Sequence, residues 1–295
     1  MDMRKVLGLG LVATGAITSG LLADVKPAEA LVVHNGWNYT MDAHNDSTPF
    51  KRDGSGLFEI YGSAYKVIGE TMVFAINSNV DLENGVDWDS AADDKVHFSD
   101  LLINFTGKSL DQANGELYAI NFAGNGDSGA GALGGVGIYS NVTAKSVSGS
   151  NSGWSTLKKY NNKILGKNVT PTHGDLAYDD SYFDVDKRTL NVIDTGTKIG
   201  DIEYINDLAG LGLDFEHFGD VGSETMAFSF DLGLFSSEDV EAMFHFAMEC
   251  NNDMVAGTMN FTPGAAEVPT PAVILPAILG MFGAASRKNK EAEEA

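Results

Sequence analysis

Between Leu31 and Pro263 apolar and polar residues alternate at the spacing of β-strands. The cleanest run is TMAFSFDL (Thr225–Leu232), where Met226, Phe228 and Phe230 share one face and Thr225, Ala227, Ser229 and Asp231 share the other. In LLINF, Leu101, Ile103 and Phe105 lie on one side; in ELYAINFA (Glu116–Ala123), Leu117, Ala119 and Asn121 oppose Tyr118, Ile120 and Phe122. AMFHFAM (Ala242–Met248) sets Phe244, Phe246 and Met248 against Met243, His245 and Ala247. GLFEIYGSAYKVIGETMVFAIN predicts a hairpin turning at Gly69 and Glu70. Glycine, with Asn, Asp and Ser, clusters between these runs. Many short strands separated by such turns predict an all-β fold, a single β-sandwich-like domain over 31–263. One or two short helices are expected beside it: one within GDIEYINDLAGLGL, and a turn in SSEDVEAM capped by Ser236 or Ser237. Residues 264–267 read as a short linker.

The two ends follow a different pattern. Arg4 and Lys5 precede the apolar run Val6–Ala23, and Ala28-Glu29-Ala30 fits the small-x-small rule of signal peptidase, so 1–30 reads as a signal peptide. Near the other end stands VPTPAVILPAILGMFGAASRK (Val268–Lys288). As a helix, Val268–Ala285 would reach roughly 27 Å, close to the ~30 Å hydrocarbon core of a bilayer. Pro276 in its middle argues against a buried core helix. Arg287, Lys288 and Lys290 form a basic stop that stays on the cytoplasmic side, which leaves the preceding chain outside. Residues 268–290 thus read as a prolyl motif, a marginal transmembrane helix and a basic stop, and 291–295 as an acidic tail.

With its prolyl motif, apolar stretch and basic end, this segment resembles the sorting tail read by exosortases in bacteria that export exopolysaccharide. It is similar to the Pro-Thr-Pro-Ala variant of that PEP-CTERM-like tail, the type associated with cyanobacteria. The motif residues are Val268, Pro269, Thr270, Pro271 and Ala272. GLFEIYGSAYKV, MVFAINSNVDL, DLLINFTG, AINFAGNGDSG, NVTAKSVSGSNSGW and AMFHFAMECNNDMVAG look like segments of exosortase-dependent surface proteins. The resemblance implies a non-enzymatic cell-surface or extracellular-matrix protein. Such a protein is exported across the inner membrane, held briefly by its C-terminal helix and released by an exosortase-like enzyme. Its partners are then the export machinery, signal peptidase, that processing enzyme and, in a second reading, exopolysaccharide. Prolines at 269 and 271 suit this role, because they keep the motif extended and accessible just outside the bilayer. Two departures stand out: Asn251 follows Cys250 where the family tends to carry Gly, and EAEEA prolongs the stop.

Charge narrows the chemistry. The 295-residue chain carries a net charge of −22. That excludes the clustered Lys and Arg of a nucleic-acid binder and favours cations as ligands. Cys250 is the lone cysteine, so no internal disulfide forms; it is either a buried small hydrophobe or a reactive thiol. No cofactor is implied except Ca²⁺, for which Asp87, Asp89, Asp93 and Asp94 in DLENGVDWDSAADD are the candidate ligands. A second acidic run, YDDSYFDVD, offers Asp179, Asp180, Asp184 and Asp186 in the same way; no EF-hand loop is present, and merely solvated acidic loops are the alternative for both runs. AGNGDSGAG matches a dinucleotide-type glycine spacing, but Asp127 would oppose the phosphates and a loop is expected. None of the six histidines forms HExxH, and no GxSxG elbow occurs, so catalytic residues are not assigned. Trp37, Trp88 and Trp154 stack on sugars if exposed and fill the core if buried. Two alternatives to a structural surface protein therefore stay open: a carbohydrate-binding module assisted by Ca²⁺, and a glycoside hydrolase using two carboxylates.

Overall fold

The structure, a computed structural model, describes residues 32–236 and 241–262. Among these residues the strands in chain order are β1 (Val32–His34), β2 (Trp37–Met41), β3 (Ile60–Ile68), β4 (Thr71–Ser78), β5 (Val86–Asp87), β6 (Lys95–Val96), β7 (Leu101–Asn104) and β8 (Leu117–Asn121). There follow β9 (Gly137–Lys145), β10 (Thr172–His173), β11 (Leu176–Ala177), β12 (Val192–Gly200), β13 (Glu203–Tyr204), β14 (Glu224–Asp231), β15 (Glu241–Ala247) and β16 (Met254–Asn260). The fold is mainly β and its sheets are antiparallel. One six-stranded sheet has the order β1-β2-β3-β4-β14-β13 and a second has the order β12-β9-β8-β7-β15-β16. β5–β6 and β10–β11 are two-stranded ribbons.

The period-two runs explain how the two sheets meet. Met226, Phe228 and Phe230 of β14 and Phe74 of β4 enter one core with Leu101, Ile103, Ile120, Phe122, Phe244, Phe246 and Met248. Phe122 stacks on Phe228 at 5.4 Å, and Phe74 meets Phe244 edge-on at 5.6 Å. Each such ring, fully buried, stabilises the fold by about 1.5–3 kcal/mol. The hairpin turns at Gly69 and Glu70, since Ile68 pairs with Thr71. A second two-residue turn, Asn35-Gly36, joins β1 to β2; both residues have positive φ, as a tight hairpin turn requires.

The outer faces are covered as well. Behind the first sheet, Trp37, Tyr39, Val73, Ala75 and Ala227 pack with Phe215, Leu211 and Phe218 of the long 205–219 segment. Behind the second, Leu102, Leu117, Tyr139, Ile193 and Ala247 pack with Leu157, Tyr182 and Phe183. Leu157 opens a helix, Leu157–Leu165, capped by the Thr156 hydroxyl accepting from the Lys159 N–H. Its buried residues Leu157, Tyr160, Asn161 and Ile164 follow the i, i+3, i+4, i+7 spacing. The alternate face of β15 is therefore not solvated, and His245 is fully buried, with Nε2 3.0 Å from the Leu190 carbonyl.

One expectation changes, and a second falls outside the described residues. GDIEYINDLAGLGL forms no helix: β13 occupies Glu203–Tyr204, and Leu208, Leu211 and Leu213 lie in irregular chain that packs on the first sheet. Gly210 and Gly212, both at positive φ, interrupt any helical run there. In SSEDVEAM, β15 begins at Glu241, and 237–240 lie outside the described residues. AGNGDSGAG is a loop, followed by a single helical turn, Ala130–Leu133, and then β9.

Candidate metal centre

Four acidic side chains far apart in sequence come together where β2 and β3 of the first sheet approach β16 of the second. Asp42 and Asp46 lie on the chain leaving β2, Glu59 directly precedes β3, and Asp253 directly precedes β16. The ribbon strand β10 closes one side. Asp46, Glu59 and Asp253 are fully buried, and Asp42 is mostly so. Oxygens from Asp42, Asp46 and Asp253 all lie within 4.8 Å of one another.

The surroundings hold Asp42, Asp46 and Glu59 by one oxygen each and Asp253 by both. Asp42 Oδ1 accepts from the Thr172 hydroxyl at 2.6 Å and from the Gly174 N–H at 2.8 Å. The Ala43 N–H donates to the same Thr172 hydroxyl at 2.9 Å, which directs its proton toward Asp42. Asp46 Oδ2 accepts from the Thr172 N–H at 2.8 Å. Glu59 Oε2 accepts from the Ser47 hydroxyl at 2.6 Å. Asp253 takes the Ile60 N–H at 2.7 Å and the Met254 N–H at 2.8 Å. Gly174 has to be glycine: at φ +63 a Cβ there would stand 2.6 Å from both the Ala256 carbonyl and Thr40 Cγ2.

The opposite oxygens, Asp42 Oδ2, Asp46 Oδ1 and Glu59 Oε1, are buried and have no hydrogen-bond donor. No ion pair among the described residues involves any of the four. His173 is also fully buried nearby, between Tyr160 and Phe183, but loss of solvent pushes it down to about 4. It is neutral and supplies no counter-charge. Desolvation raises Asp42 to about 6 and Glu59 to about 8, and hydrogen bonds from Thr172, Gly174 and Ser47 only partly oppose it. Asp46 and Asp253 are raised well above the ordinary carboxylate range by burial and by the neighbouring carboxylates. A buried charge without a partner is costly, so this group must bind protons or a cation. Free oxygens converging from several carboxylates form the donor set of a hard divalent ion.

A cleft of about 240 Å³ opens beside the centre. Trp88, Trp154, Thr48, Ser152, Lys163 and Asn252 are among the residues lining it. The Trp154 ring N–H donates to the Thr48 hydroxyl at 2.7 Å, and the Thr48 N–H donates to the Asn252 carbonyl at 3.0 Å. The cleft and the carboxylates thus share the chain segments around Asp46–Thr48 and Asn252–Asp253.

The residues singled out from sequence lie elsewhere. Asp87, Asp89, Asp93 and Asp94 do not converge: all four are exposed, and Asp87 pairs with Lys95 instead. In YDDSYFDVD, Asp184 pairs with Lys187 and Asp186 with Lys158. Ala28, Ala30, Val268, Pro269, Thr270, Pro271, Ala272, Arg287, Lys288 and Lys290 lie outside the described residues. Among the described residues no helix is long and apolar enough to cross a membrane. Cys250 is fully buried, and burial pushes its thiol up, as for a small hydrophobe. Asn251 takes φ +51 in the turn before β16, the left-handed conformation that glycine would serve there. Trp37 is core, while Trp88 and Trp154 are half-buried at the cleft. No known protein family, curated protein or solved structure matches this chain.

Proposed function

We propose that this chain is an exported, non-enzymatic surface or matrix protein whose β-sandwich is locked by one Ca²⁺ ion held by Asp42, Asp46, Glu59 and Asp253. One observation carries the reading: Asp42, Asp46 and Glu59 each bury one carboxylate oxygen without a donor or a counter-ion, and Asp42 and Asp46 offer oxygens within 4.8 Å of each other and of Asp253. Calcium accepts six to eight oxygens in flexible geometry, which suits carboxylates whose other oxygens are already fixed by backbone N–H groups and by the Thr172 and Ser47 hydroxyls. The ion would tie the start of β3 to the start of β16, and so one sheet to the other. The same burial disfavours a glycoside hydrolase, since no sugar can lie between sealed carboxylates. Export and later release through the exosortase-type tail at Val268–Lys290 rest on the sequence resemblance.

Thermal melts in EDTA and in millimolar CaCl₂ test this. At a concentration of a thousand times Kd, calcium adds about 4 kcal/mol of stability. Unchanged melting in calcium sinks the proposal. A second reading, a glycan-binding module, is favoured by Trp88 and Trp154 lining the cleft beside the metal centre. Loss of retention on an exopolysaccharide column in Trp154→Ala, with the calcium-induced rise in melting temperature retained, supports it.

A further inference from the structure

A second group of metal-ligating side chains lies on the outer side of the first sheet. His34, Asp214 and His217 offer atoms that all fall within 4.8 Å of one another. His34 ends the edge strand β1, immediately before the Asn35-Gly36 turn, while Asp214 and His217 flank Phe215 and Glu216 in the 205–219 segment. His34 Nε2 is 3.2 Å from Asp214 Oδ2. The two imidazoles stack with centroids 3.7 Å apart and planes only 9° from parallel. All three side chains reach solvent, His34 and Asp214 partly and His217 more fully.

We propose that His34, Asp214 and His217 bind a borderline divalent transition ion of the Zn²⁺ class, which latches the N-terminal hairpin to the 205–219 segment. Two imidazoles and one carboxylate suit Zn²⁺, whereas calcium prefers oxygen donors alone. At Zn²⁺ bond lengths near 2.05 Å, neighbouring ligands of a tetrahedral ion stand about 3.3 Å apart. The His34–Asp214 separation of 3.2 Å is already that spacing.

The segment that carries Asp214 and His217 is also held in advance, and the stacked rings need only a side-chain rotation of the exposed His217 to turn both nitrogens toward one ion. The Asp214 N–H donates to the Tyr39 hydroxyl at 2.8 Å, and Asp214 Oδ1 accepts from the His217 N–H at 3.1 Å. That leaves Oδ2 directed at His34. The Trp37 ring N–H donates to the Leu211 carbonyl at 2.9 Å, which fixes the segment to β2. Phe218 packs on Tyr39 at 4.6 Å and meets the His34 ring edge-on at 6.0 Å, so the rings rest on an aromatic floor. Support of this kind is what orients ligands at a metal site. The latch needs no calcium: it shares no residue with the carboxylate centre. Its effect falls on β1, the outermost strand, where Val32 and Val33 are exposed and β2 is the sole neighbour in the sheet.

The test is isothermal titration of Zn²⁺ into calcium-saturated protein at about pH 7.5. The wild type is compared with His217→Ala, Asp214→Asn and, as a control for the other centre, Asp42→Asn. One Zn²⁺ per chain is expected in the wild type and in Asp42→Asn, with affinity lowered tenfold or more in His217→Ala and Asp214→Asn. His217 is exposed, and near-UV circular dichroism confirms that its variant is folded. No saturable binding by the wild type overturns the proposal. So does stoichiometric binding that survives His217→Ala, or that is lost only in Asp42→Asn, because zinc would then be entering the carboxylate centre.

Discussion

Replacing Asp42 by Asn should change the protein's stability in opposite directions depending on calcium. The Asn carbonyl can still accept from the Thr172 hydroxyl and the Gly174 N–H, the two bonds made by Asp42 Oδ1. Its amide nitrogen then stands where Oδ2 was, buried and without a donor, and can donate to the neighbouring carboxylates. Asp42 is raised from 3.8 to about 6. Holding this carboxylate charged above that pH therefore costs the calcium-free native state about 3 kcal/mol, at 1.36 kcal/mol per pH unit. Asn carries no such cost. In a domain of this size 1 kcal/mol moves the melting temperature by about 2–4 °C. In EDTA at about pH 7.5, Asp42→Asn should thus melt roughly 6–12 °C above the wild type. In millimolar calcium the order should reverse, because the wild type gains the binding energy and the variant has lost a charged ligand. Differential scanning calorimetry of both proteins in both buffers gives the four values required. If the variant melts lower in EDTA while its calcium response stays intact, Asp42 is a structural hydrogen-bond acceptor and the metal centre is refuted.

Three further outcomes are expected. Glu59 at about 8 and Glu249 at about 7 join Asp42 in binding protons more tightly in the native state than in the unfolded chain. Without calcium, stability should be fully present below about pH 4 and should fall as pH rises toward about 8; calcium, which replaces the protons of Asp42 and Glu59 but not that of Glu249, should flatten or invert the slope. A calcium-free melting temperature that rises over this window contradicts the assignment. Gly153→Ala should destabilise by about 2–4 kcal/mol, because its Cβ would stand 1.7 Å from the Cys250 carbonyl oxygen; Gly149→Ala, which meets nothing within 4 Å, should stay within about 0.5 kcal/mol in urea denaturation. For the tail, replacing Pro269 and Pro271 by Ala should leave the full-length form in the membrane, and mass spectrometry finding an intact C-terminal Ala295 on the secreted wild type contradicts the processing scheme.

The strands were legible because burial imposes its period on the chain: Phe228, Phe230, Phe244 and Phe246 alternate in sequence and share one core in space. Local pattern also identified the Gly69-Glu70 turn and the inert character of Cys250. It misread 200–213, where leucines at near-helical spacing serve instead as plugs in an irregular segment over Trp37 and Tyr39. Ligand density proved a poor guide to the metal centre. The crowded acids at 87–94 repel one another, stay in solvent and remain apart. The four that converge come singly from Asp42, Asp46, Glu59 and Asp253, and nothing in their flanking residues announces them beyond Asp42 and Asp46 lying four apart. His34 lies 180 residues from its partner Asp214.

What the sequence determined by itself was the class of fold, through alternation, and the acidic balance that makes a cation the natural ligand. Which acids converge, and which histidines meet, was decided only by tertiary structure. Carboxylates become a site when the packing of one sheet on the other brings β3 near β16 and removes their water, and that desolvation depends on contacts between residues some two hundred positions apart.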